Sequence, residues 1–356
     1  MGDFRTYKTA RRLPAEPHKP VIDPAGWESD SLRDVDAWAY RFTERDSAEL
    51  MDGIAAVRRS GVALVDIDRA HFPLGGLADI LEDVRRELLD GRGVVRLRGF
   101  PVDALDREEV AIGYLGLGSY LGTRTPQNKY GHLLGHVKNL GGDRREANTR
   151  GYITDQALSF HEDSADFVGL LCVSEARSGG DSRLASSVTL YNRLLAERPD
   201  LIEALIVDFY KTRWGEVDAG QQPFYTGPIF AFVDGYFSAV GWGSAYDKAQ
   251  ALPGVPPYTP KQLEARPIYR RMVEELAIDM PFGKGDIQFL NNHVILHSRH
   301  AFRDGDVPSQ KRHLMRLWLN DAIGRPIPEG RRVRRDFGVR LKGVPLIAPL
   351  DMTVPA

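Results

Sequence analysis

Helical and strand patterns occupy different parts of this 356-residue chain, and that order limits the folds open to it. Apolar residues recur at helical spacing over residues 47–60 and 77–89, and residues 108–121 form a third predicted helix. Strand patterns then cluster in the C-terminal two thirds. Such an order argues against regular βαβ alternation. We predict a mainly β fold with flanking helices (α+β), built as a mostly antiparallel barrel or sandwich with helices packed outside it.

The predicted strands share β-branched or alternating apolar residues bounded by Gly, Pro or Asn. They span residues 94–101, 167–173, 229–240, 283–290, 294–302 and 313–320. Asp234-Gly235 predicts a hairpin turn inside one of them. A further helix is predicted to begin after Thr259 as N-cap, with Pro260 at its first position.

The two ends of the chain differ in composition from its middle. Residues 1–45 are rich in Pro and charge, which predicts an N-terminal arm. Residues 326–356 begin in a basic, Pro-rich stretch, which predicts a C-terminal tail that wraps the surface. Residues 46–325 are predicted to form a single domain, since β-barrel enzymes reach this size with their loops and outer helices.

Composition excludes several classes of protein. The formal net charge of −2 does not indicate a nucleic-acid partner. The single cysteine, Cys172, excludes an intrachain disulfide and a Cys-based zinc site. The N-terminus has no apolar signal segment, and no apolar run is long enough to cross a bilayer. We expect a soluble, cytoplasmic protein with no membrane partner, and the oligomeric state stays open.

A histidine and a carboxylate stand two residues apart near the middle of the chain, in the segment LSFHED at residues 158–163. On an extended strand, His161 and Asp163 would share one face, whereas Glu162 would point away. Ser159 would share the face of the pair and is a candidate to line a pocket. Two histidines and one carboxylate form the facial triad of non-haem Fe(II) oxygenases, so the pair lacks a second histidine.

Nine histidines offer several candidates for that ligand. The candidates downstream of the pair are His293, His297, His300 and His313. His293 and His297 lie four residues apart, but a zincin helix needs Glu after the first histidine, where Val294 stands. His297 is preferred because it lies in a strand-like run, whereas His300 falls on the opposite strand face. The residues alone leave the other histidines open.

Five motifs, in this order, resemble the TauD/TfdA family of Fe(II)/2-oxoglutarate-dependent oxygenases, the taurine-dioxygenase-like and clavaminate-synthase-like enzymes. They are FHED at 160–163, SGGDS at 178–182, GDIQFLNN at 285–292, LHSRHAF at 296–302 and RHLMRLWL at 312–319. The resemblance covers about residues 90–320. It implies a double-stranded β-helix core, the cupin-like jelly roll, and an enzyme that uses Fe(II), 2-oxoglutarate and O2.

The resemblance also implies a catalytic role for the iron ligands His161, Asp163 and His297. Arg312 would bind the distal carboxylate of 2-oxoglutarate, because a guanidinium forms a planar, bidentate pair with a carboxylate. Ser182 stands where the family often places a hydroxyl on the same carboxylate.

Substrate contacts are implied at three further positions. Arg316 follows Arg312 by four residues, and in several relatives the equivalent arginine binds an acidic group of the primary substrate. Gln127 and Asn128 lie in the long segment before the iron motif, where relatives often place substrate contacts. Ser159 joins them as a candidate from its strand face. These positions imply a small-molecule substrate that is anionic or amino-acid-like.

The implied reaction is hydroxylation of an unactivated C–H bond of a small carboxylate or of an amino-acid-like or natural-product substrate, with release of succinate and CO2. The same scaffold could instead catalyse desaturation, epimerisation or cyclisation. A metal hydrolase or cupin-like isomerase could use the same triad without 2-oxoglutarate, but Ser182, Arg312 and Arg316 have no role there. A catalytically silent binding module is a third hypothesis, and a complete triad argues against it.

Overall fold

The computed structural model describes residues 4–352. Its α-helices are α1 (Glu44–Ser60), α2 (Gly76–Asp90), α3 (Arg107–Ser119), α4 (Ser187–Glu197), α5 (Ser244–Ala249), α6 (Pro260–Glu275) and α7 (Glu329–Phe337). Its strands are β1 (Ala39–Arg41), β2 (Val94–Arg98), β3 (Thr123–Arg124), β4 (Gly135–Lys138), β5 (Leu158–His161), β6 (Phe167–Ser174), β7 (Ser178–Gly179), β8 (Ser182–Ser186), β9 (Asp208–Thr212), β10 (Phe224–Pro228), β11 (Phe230–Val233), β12 (Tyr236–Ala239), β13 (Ile278–Met280), β14 (Ile287–Asn291), β15 (Ile295–Arg299), β16 (Phe302–Arg303) and β17 (His313–Asn320).

Local sequence signals account for the ends of the predicted helices. At the start of α1, Thr43 accepts a hydrogen bond from the Asp46 backbone, and the Asp46 side chain accepts one from the Thr43 backbone. The helix ends at Gly61, whose φ of 68° is the left-handed conformation typical of a C-cap glycine. Thr259 caps α6 in the same way, and Pro267 lies inside that helix without interrupting it. The helix predictions are confirmed here.

Two sheets form the β core. The larger has seven strands in the order β1-β2-β14-β6-β17-β3, with β4 also paired to β17. The smaller has four strands in the order β13-β8-β15-β5. Apart from the parallel β1–β2 pair, the pairings in these sheets are antiparallel. The predicted mainly β core with outer helices is confirmed.

Strand β6 shows how the large sheet separates two apolar clusters. Val168, Leu170 and Cys172 pack in the cluster shared with the small sheet, while Phe167 and Leu171 pack in the cluster that contains α1, α2 and α3. Successive side chains of a strand point to opposite faces, so one strand serves both clusters. Helices α1, α2 and α3 therefore cover one face of the large sheet, and its other face packs toward the small sheet.

Both ends of the chain pack on this core. Strand β1, within the predicted arm, adds a parallel edge to β2. Asp23 forms a buried ion pair with Arg325, at 3.1 Å between Oδ2 and Nη2, just ahead of the tail. The tail contains α7, which the sequence patterns did not predict. Within residues 4–352, no helix is long and apolar enough to cross a membrane.

Candidate active site

Strand pairing brings the two predicted histidine ligands together. His161 ends β5 and His297 lies in the middle of β15, and the two residues are direct partners across the antiparallel pair. Their ring centroids are 4.2 Å apart. Register alone therefore aligns these side chains, although 136 positions of sequence separate them.

The hydrogen bond of His161 defines which ring nitrogen is free. Nδ1 lies 2.8 Å from the Ser159 carbonyl oxygen. A carbonyl only accepts, so Nδ1 carries the proton and Nε2 keeps its lone pair. This arrangement, with one ring nitrogen held by a backbone carbonyl, is typical of histidine ligands to metals. On His297, Nδ1 is buried and has no hydrogen-bond partner among the described residues.

Asp163 lies beyond the end of β5 rather than on it, since the strand stops at His161. Its position is set by Asn292, whose Oδ1 accepts a hydrogen bond of 3.1 Å from the Asp163 backbone. The Asn292 amide in turn donates to the Ala165 carbonyl at 3.0 Å. The Asp163 carboxylate lies 3.2 Å from Nη1 of Arg316. Asn292, which directly follows the end of β14, thus positions Asp163.

The electrostatics of the three side chains favour the protonation states that bind metal. Burial lowers the pKa of His161, and burial together with His161 lowers the pKa of His297 to about 3. Burial alone would raise the pKa of Asp163, but Arg316 and the two histidines outweigh it, so that pKa is lowered. At neutral pH the imidazoles are neutral and the carboxylate is charged, as metal ligation requires.

These residues fit an iron(II) ion in their chemistry. Two neutral imidazoles and one carboxylate are the donors of the facial triad. Nδ1 of His297 is buried and has no hydrogen-bond partner among the described residues. Asp163 is 8% exposed and His297 is 6% exposed.

A second His/Asp group lies elsewhere, at the tail. His136, His313 and Asp351 have ligand atoms within 4.8 Å of one another. Hydrogen bonds already use this group: His136 contacts His313 at 2.8 Å and the Pro349 carbonyl at 2.8 Å. Lys138 forms an ion pair with Asp351 at 2.8 Å. The group therefore fastens the tail to β4 and β17.

Ser182 and Arg312, the residues predicted for 2-oxoglutarate, lie at the ends of two other strands of the core sheets. Ser182 begins β8, which pairs with β15, and it is 4% exposed. Arg312 directly precedes β17, and its Nη2 donates to the Gly180 carbonyl at 3.0 Å. Its Nη1 is buried without a partner among the described residues. Burial lowers the pKa of Arg312 to about 10.

Of the residues predicted to contact substrate, Arg316 and Ser159 line a cavity beside Asp163. Gln127 and Asn128 lie behind that cavity and are buried. Gln127 Oε1 accepts from Nε of Arg316 at 2.7 Å, and its amide donates to the Arg316 carbonyl at 2.8 Å. Asn128 accepts a 3.0 Å hydrogen bond from the Tyr130 backbone and so shapes the loop.

The cavity is rich in cationic side chains, most of which the sequence did not single out. The cations that line it are Arg144, Arg150, Lys211, Arg316 and Arg334. Arg334 comes from α7, and Lys211 from β9. An adjoining cavity adds Arg331, also from α7.

Carboxylates neutralise these cations only in part. Glu162 lines the cavity and forms an ion pair with Lys211. Glu216 forms an ion pair with both Arg150 and Arg334. Nε of Arg150 and of Arg334 is buried with no partner among the described residues. The cavity therefore keeps an excess of positive charge.

Aromatic rings complete the cavity wall. Its lining includes Tyr152, Trp214, Tyr225 and Trp318. The Arg316 guanidinium lies 4.9 Å from the Tyr152 ring centroid and 5.1 Å from that of Trp318. These contacts favour a cation at that position.

The one local sequence pattern that could have indicated a role for α7 in the cavity is its run of arginines at 331–335, RRVRR.

The sequence model of the taurine catabolism dioxygenase TauD, TfdA family matches residues 61–318. This chain belongs to that family. It is an Fe(II)/2-oxoglutarate-dependent oxygenase with a small-molecule substrate, and the resemblance drawn from the five motifs is confirmed.

Among curated proteins, FR-33289 synthase of Streptomyces rubellomurinus (strain ATCC 31215) is 30% identical over 339 residues, covering 92% of this chain and 98% of that protein. Among solved structures, an asparagine oxygenase bound to Fe(II), 3-hydroxyasparagine and succinate aligns with a TM-score of 0.61, 18% identity, and coverage of 79% of this chain and 93% of its own. The non-heme iron oxygenase OrfP bound to Fe and alpha-ketoglutaric acid aligns with a TM-score of 0.56, 18% identity, and coverage of 85% and 98%. The jelly-roll fold is thereby confirmed.

Proposed function

We propose that this oxygenase hydroxylates an unactivated C–H bond of a small, anionic, amino-acid-like substrate and releases succinate and CO2. The observation that carries the proposal is the charge of the cavity beside Asp163. Arg150, Arg316 and Arg334 line it, whereas Glu216 is shared by two of them. An anionic substrate would offset the positive charge that remains, which is costly to bury alone.

His161, Asp163 and His297 would hold the iron, and Arg312 with Ser182 would hold the distal carboxylate of 2-oxoglutarate. When bound, iron and 2-oxoglutarate supply the oxidising chemistry, in which O2 provides one oxygen atom to succinate and one to the new C–OH group as CO2 is lost. The protein's own residues bind and orient the substrate and exclude water.

Arg316 would be the first anchor for the substrate's negative charge. Its guanidinium is held between Tyr152 and Trp318 and is fixed through Nε by Gln127. If Asp163 held the iron, less of its charge would be available to Arg316. The arginine is then placed to bind an anion beside the metal, with Ser159 as a neighbouring hydroxyl. Gln127 and Asn128 would act behind Arg316 rather than on the substrate.

Arg150 and Arg334, which also line the cavity, would form the second anchor. Each has a buried Nε without a partner among the described residues, so each has a donor to offer. Two anchors suit a substrate with two polar ends. The asparagine oxygenase structure, whose complex contains 3-hydroxyasparagine, supports an amino-acid-like compound.

Succinate release over a panel of small compounds tests the proposal. The panel should include neutral amides, amino acids, dicarboxylates, sulfonates and phosphonates of similar length. We expect anionic compounds to raise succinate release above the rate without substrate. Stimulation by neutral compounds alone would contradict the proposal.

Arg334→Gln tests the second anchor with a matched control. It should raise the KM of the best panel compound by about 10- to 100-fold, since a charge-assisted hydrogen bond contributes about 1.5–3 kcal/mol. Arg332→Gln, on the same helix but 61% exposed at its side chain, should leave KM unchanged. Equal effects of the two variants would remove α7 from the substrate site.

A further inference from the structure

Two arginines are buried at the 2-oxoglutarate end of the site without a carboxylate partner. Arg299 and Arg312 are each 4% exposed. Their side-chain hydrogen bonds within the described residues go to backbone carbonyls alone. A buried guanidinium without an anion is unfavourable by several kcal/mol. The fold therefore holds two neighbouring cations that form no ion pair with a carboxylate among the described residues, and Asp155, Asp181 and Asp304 act on them only from beyond ion-pair distance.

Both side chains also have unused donors. Nε and Nη1 of Arg299 and Nη1 of Arg312 are buried with no partner in the part of the chain that the structure describes. In Arg299, only Nη2 is used, and it donates to the carbonyls of Thr154 (2.9 Å) and Gln156. Buried donors of this kind are rare in proteins unless a ligand or water completes them.

The two guanidiniums meet at one aromatic ring. The central carbon of Arg299 lies 4.7 Å from the ring centroid of Phe302, and that of Arg312 lies 5.3 Å from it. Arg299 is the direct strand partner of Ser182. It also follows His297 by two residues in β15, so the two side chains share a face. Arg299, Arg312 and Ser182 thus lie close together, next to a predicted iron ligand.

We propose that Arg299 is a second guanidinium contact to the distal carboxylate of 2-oxoglutarate, beside Arg312. This inference rests on the proposed roles of Arg312 and Ser182 and adds a residue to which no role was assigned. Two arginines give the carboxylate more donors than one bidentate pair, and the carboxylate gives both arginines a directly bonded anion. The competing explanation is that Arg299 only fastens residues 154–156 through Nη2.

A pair of 2-oxo acids separates these explanations. 2-Oxoglutarate has the distal carboxylate, and 2-oxobutanoate lacks it but keeps the metal-binding end. Titration calorimetry of the Mn(II)-loaded enzyme measures the affinity for both acids without turnover. Arg299→Gln should weaken the binding of 2-oxoglutarate by about 10- to 100-fold and leave that of 2-oxobutanoate within about twofold. If Arg299 only fastens the loop, the binding of both acids will weaken by the same factor, and the proposal is then wrong.

Three further variants complete the test. Arg299→Lys keeps the charge and should recover part of the 2-oxoglutarate affinity, and it serves as the test variant if Arg299→Gln does not fold. Arg303→Gln changes an exposed arginine on β16 and should match wild type. Arg312→Gln should show the same selective loss as Arg299→Gln. If Arg312→Gln is selective and Arg299→Gln is not, only the role of Arg299 fails; if neither is selective, the proposed 2-oxoglutarate end fails with it.

Discussion

The two ends of the active site are built from different kinds of segments. At the proposed 2-oxoglutarate end, Ser182, His297 and Arg312 lie on or next to strands of the two core sheets. At the substrate end, Lys211 comes from the separate β9–β10 pair and Arg334 from α7, which lies outside the residues that the family model matches. Strand register thus defines the first end, and packing between distant segments defines the second.

The two ends also differ in how far carboxylates neutralise their cations. At the proposed 2-oxoglutarate end, Arg299 and Arg312 form no ion pair with a carboxylate of the described residues, which suits an anion of constant structure. At the substrate end, Glu162 and Glu216 already bind the cations Lys211 and Arg334. Because these cations are only partly neutralised, single substitutions among them or their carboxylate partners would change the charge that a substrate meets. Substitutions at one end should therefore alter 2-oxoglutarate binding, and those at the other should alter substrate binding.

The largest effect is expected where the two ends meet, at Asp163. Asp163→Ala removes a proposed iron ligand and leaves Arg316 without its carboxylate. Succinate formation should fall below detection, and the bound-iron content, measured by metal analysis, should fall with it. Asp155→Ala, a change at an exposed carboxylate nearby, should leave both quantities unchanged. Normal turnover by Asp163→Ala would remove this residue from the ligand set.

Arg316→Lys should show that substrate binding and 2-oxoglutarate binding depend on different ends of the site. Lysine keeps the charge but loses the planar fork and the hydrogen bond from Nε to Gln127. We expect the KM for the primary substrate to rise by about 10- to 100-fold, while the KM for the 2-oxo acid co-substrate stays unchanged. Steady-state kinetics with each compound varied in turn measure both. A rise in the co-substrate KM alone would reverse the assignment of the two ends.

Gln127→Ala should have a smaller effect of the same kind, because Gln127 acts through Arg316. Loss of a hydrogen bond of about 1 kcal/mol predicts a rise in the substrate KM of about fivefold. Gln221→Ala, an exposed glutamine on the connection between β9 and β10, is the control. If Gln127→Ala raised the substrate KM as much as Arg316→Lys, direct contact of Gln127 with the substrate would explain it better.

The smallest effect on activity is expected from Asp23→Asn, which acts on the tail. Burial would raise the pKa of Asp23, but Arg325 and Arg12 outweigh it and lower that pKa. A carboxyl whose pKa is lower in the folded state stabilises the protein above its unfolded pKa of about 3.9. That stabilisation is lost as pH falls through the folded pKa.

Asp23→Asn should lower the free energy of unfolding at pH 7 by about 3 kcal/mol, because Arg325 loses its buried partner. Denaturant unfolding at pH 7 and below pH 4 measures this difference, which should shrink at the lower pH. The substrate KM should rise slightly, since α7 follows Arg325, while the co-substrate KM stays constant. A difference that grows at low pH would contradict the proposed role of this ion pair.

The residues of the proposed 2-oxoglutarate end carry the clearer local sequence pattern, for a physical reason. His161, His297 and Arg312 occur in or beside strands with a clear local pattern, and strand pairing then aligns them. The strand argument for Asp163 was only approximate, because β5 ends at His161 and Asn292 fixes the position of Asp163 instead.

The substrate end gave little local indication. Arg150 lies in an irregular segment and Arg334 in a helix with almost no apolar face, so neither carries a pattern that marks a site. Glu216 joins the two across 66 and 118 residues of sequence. Ion pairs between residues so far apart in sequence depend on tertiary packing, which the spacing of apolar residues along the chain does not reveal.

The most direct test of the central claim uses the weak visible charge-transfer band that Fe(II) and 2-oxoglutarate give when chelated together. Under anaerobic conditions, wild-type protein should develop this band when both are added. His297→Ala should abolish it, and His136→Ala, which alters the other His/Asp group at the tail, should retain it. A band that survives in His297→Ala and is lost in His136→Ala would place the iron at the tail and contradict the account.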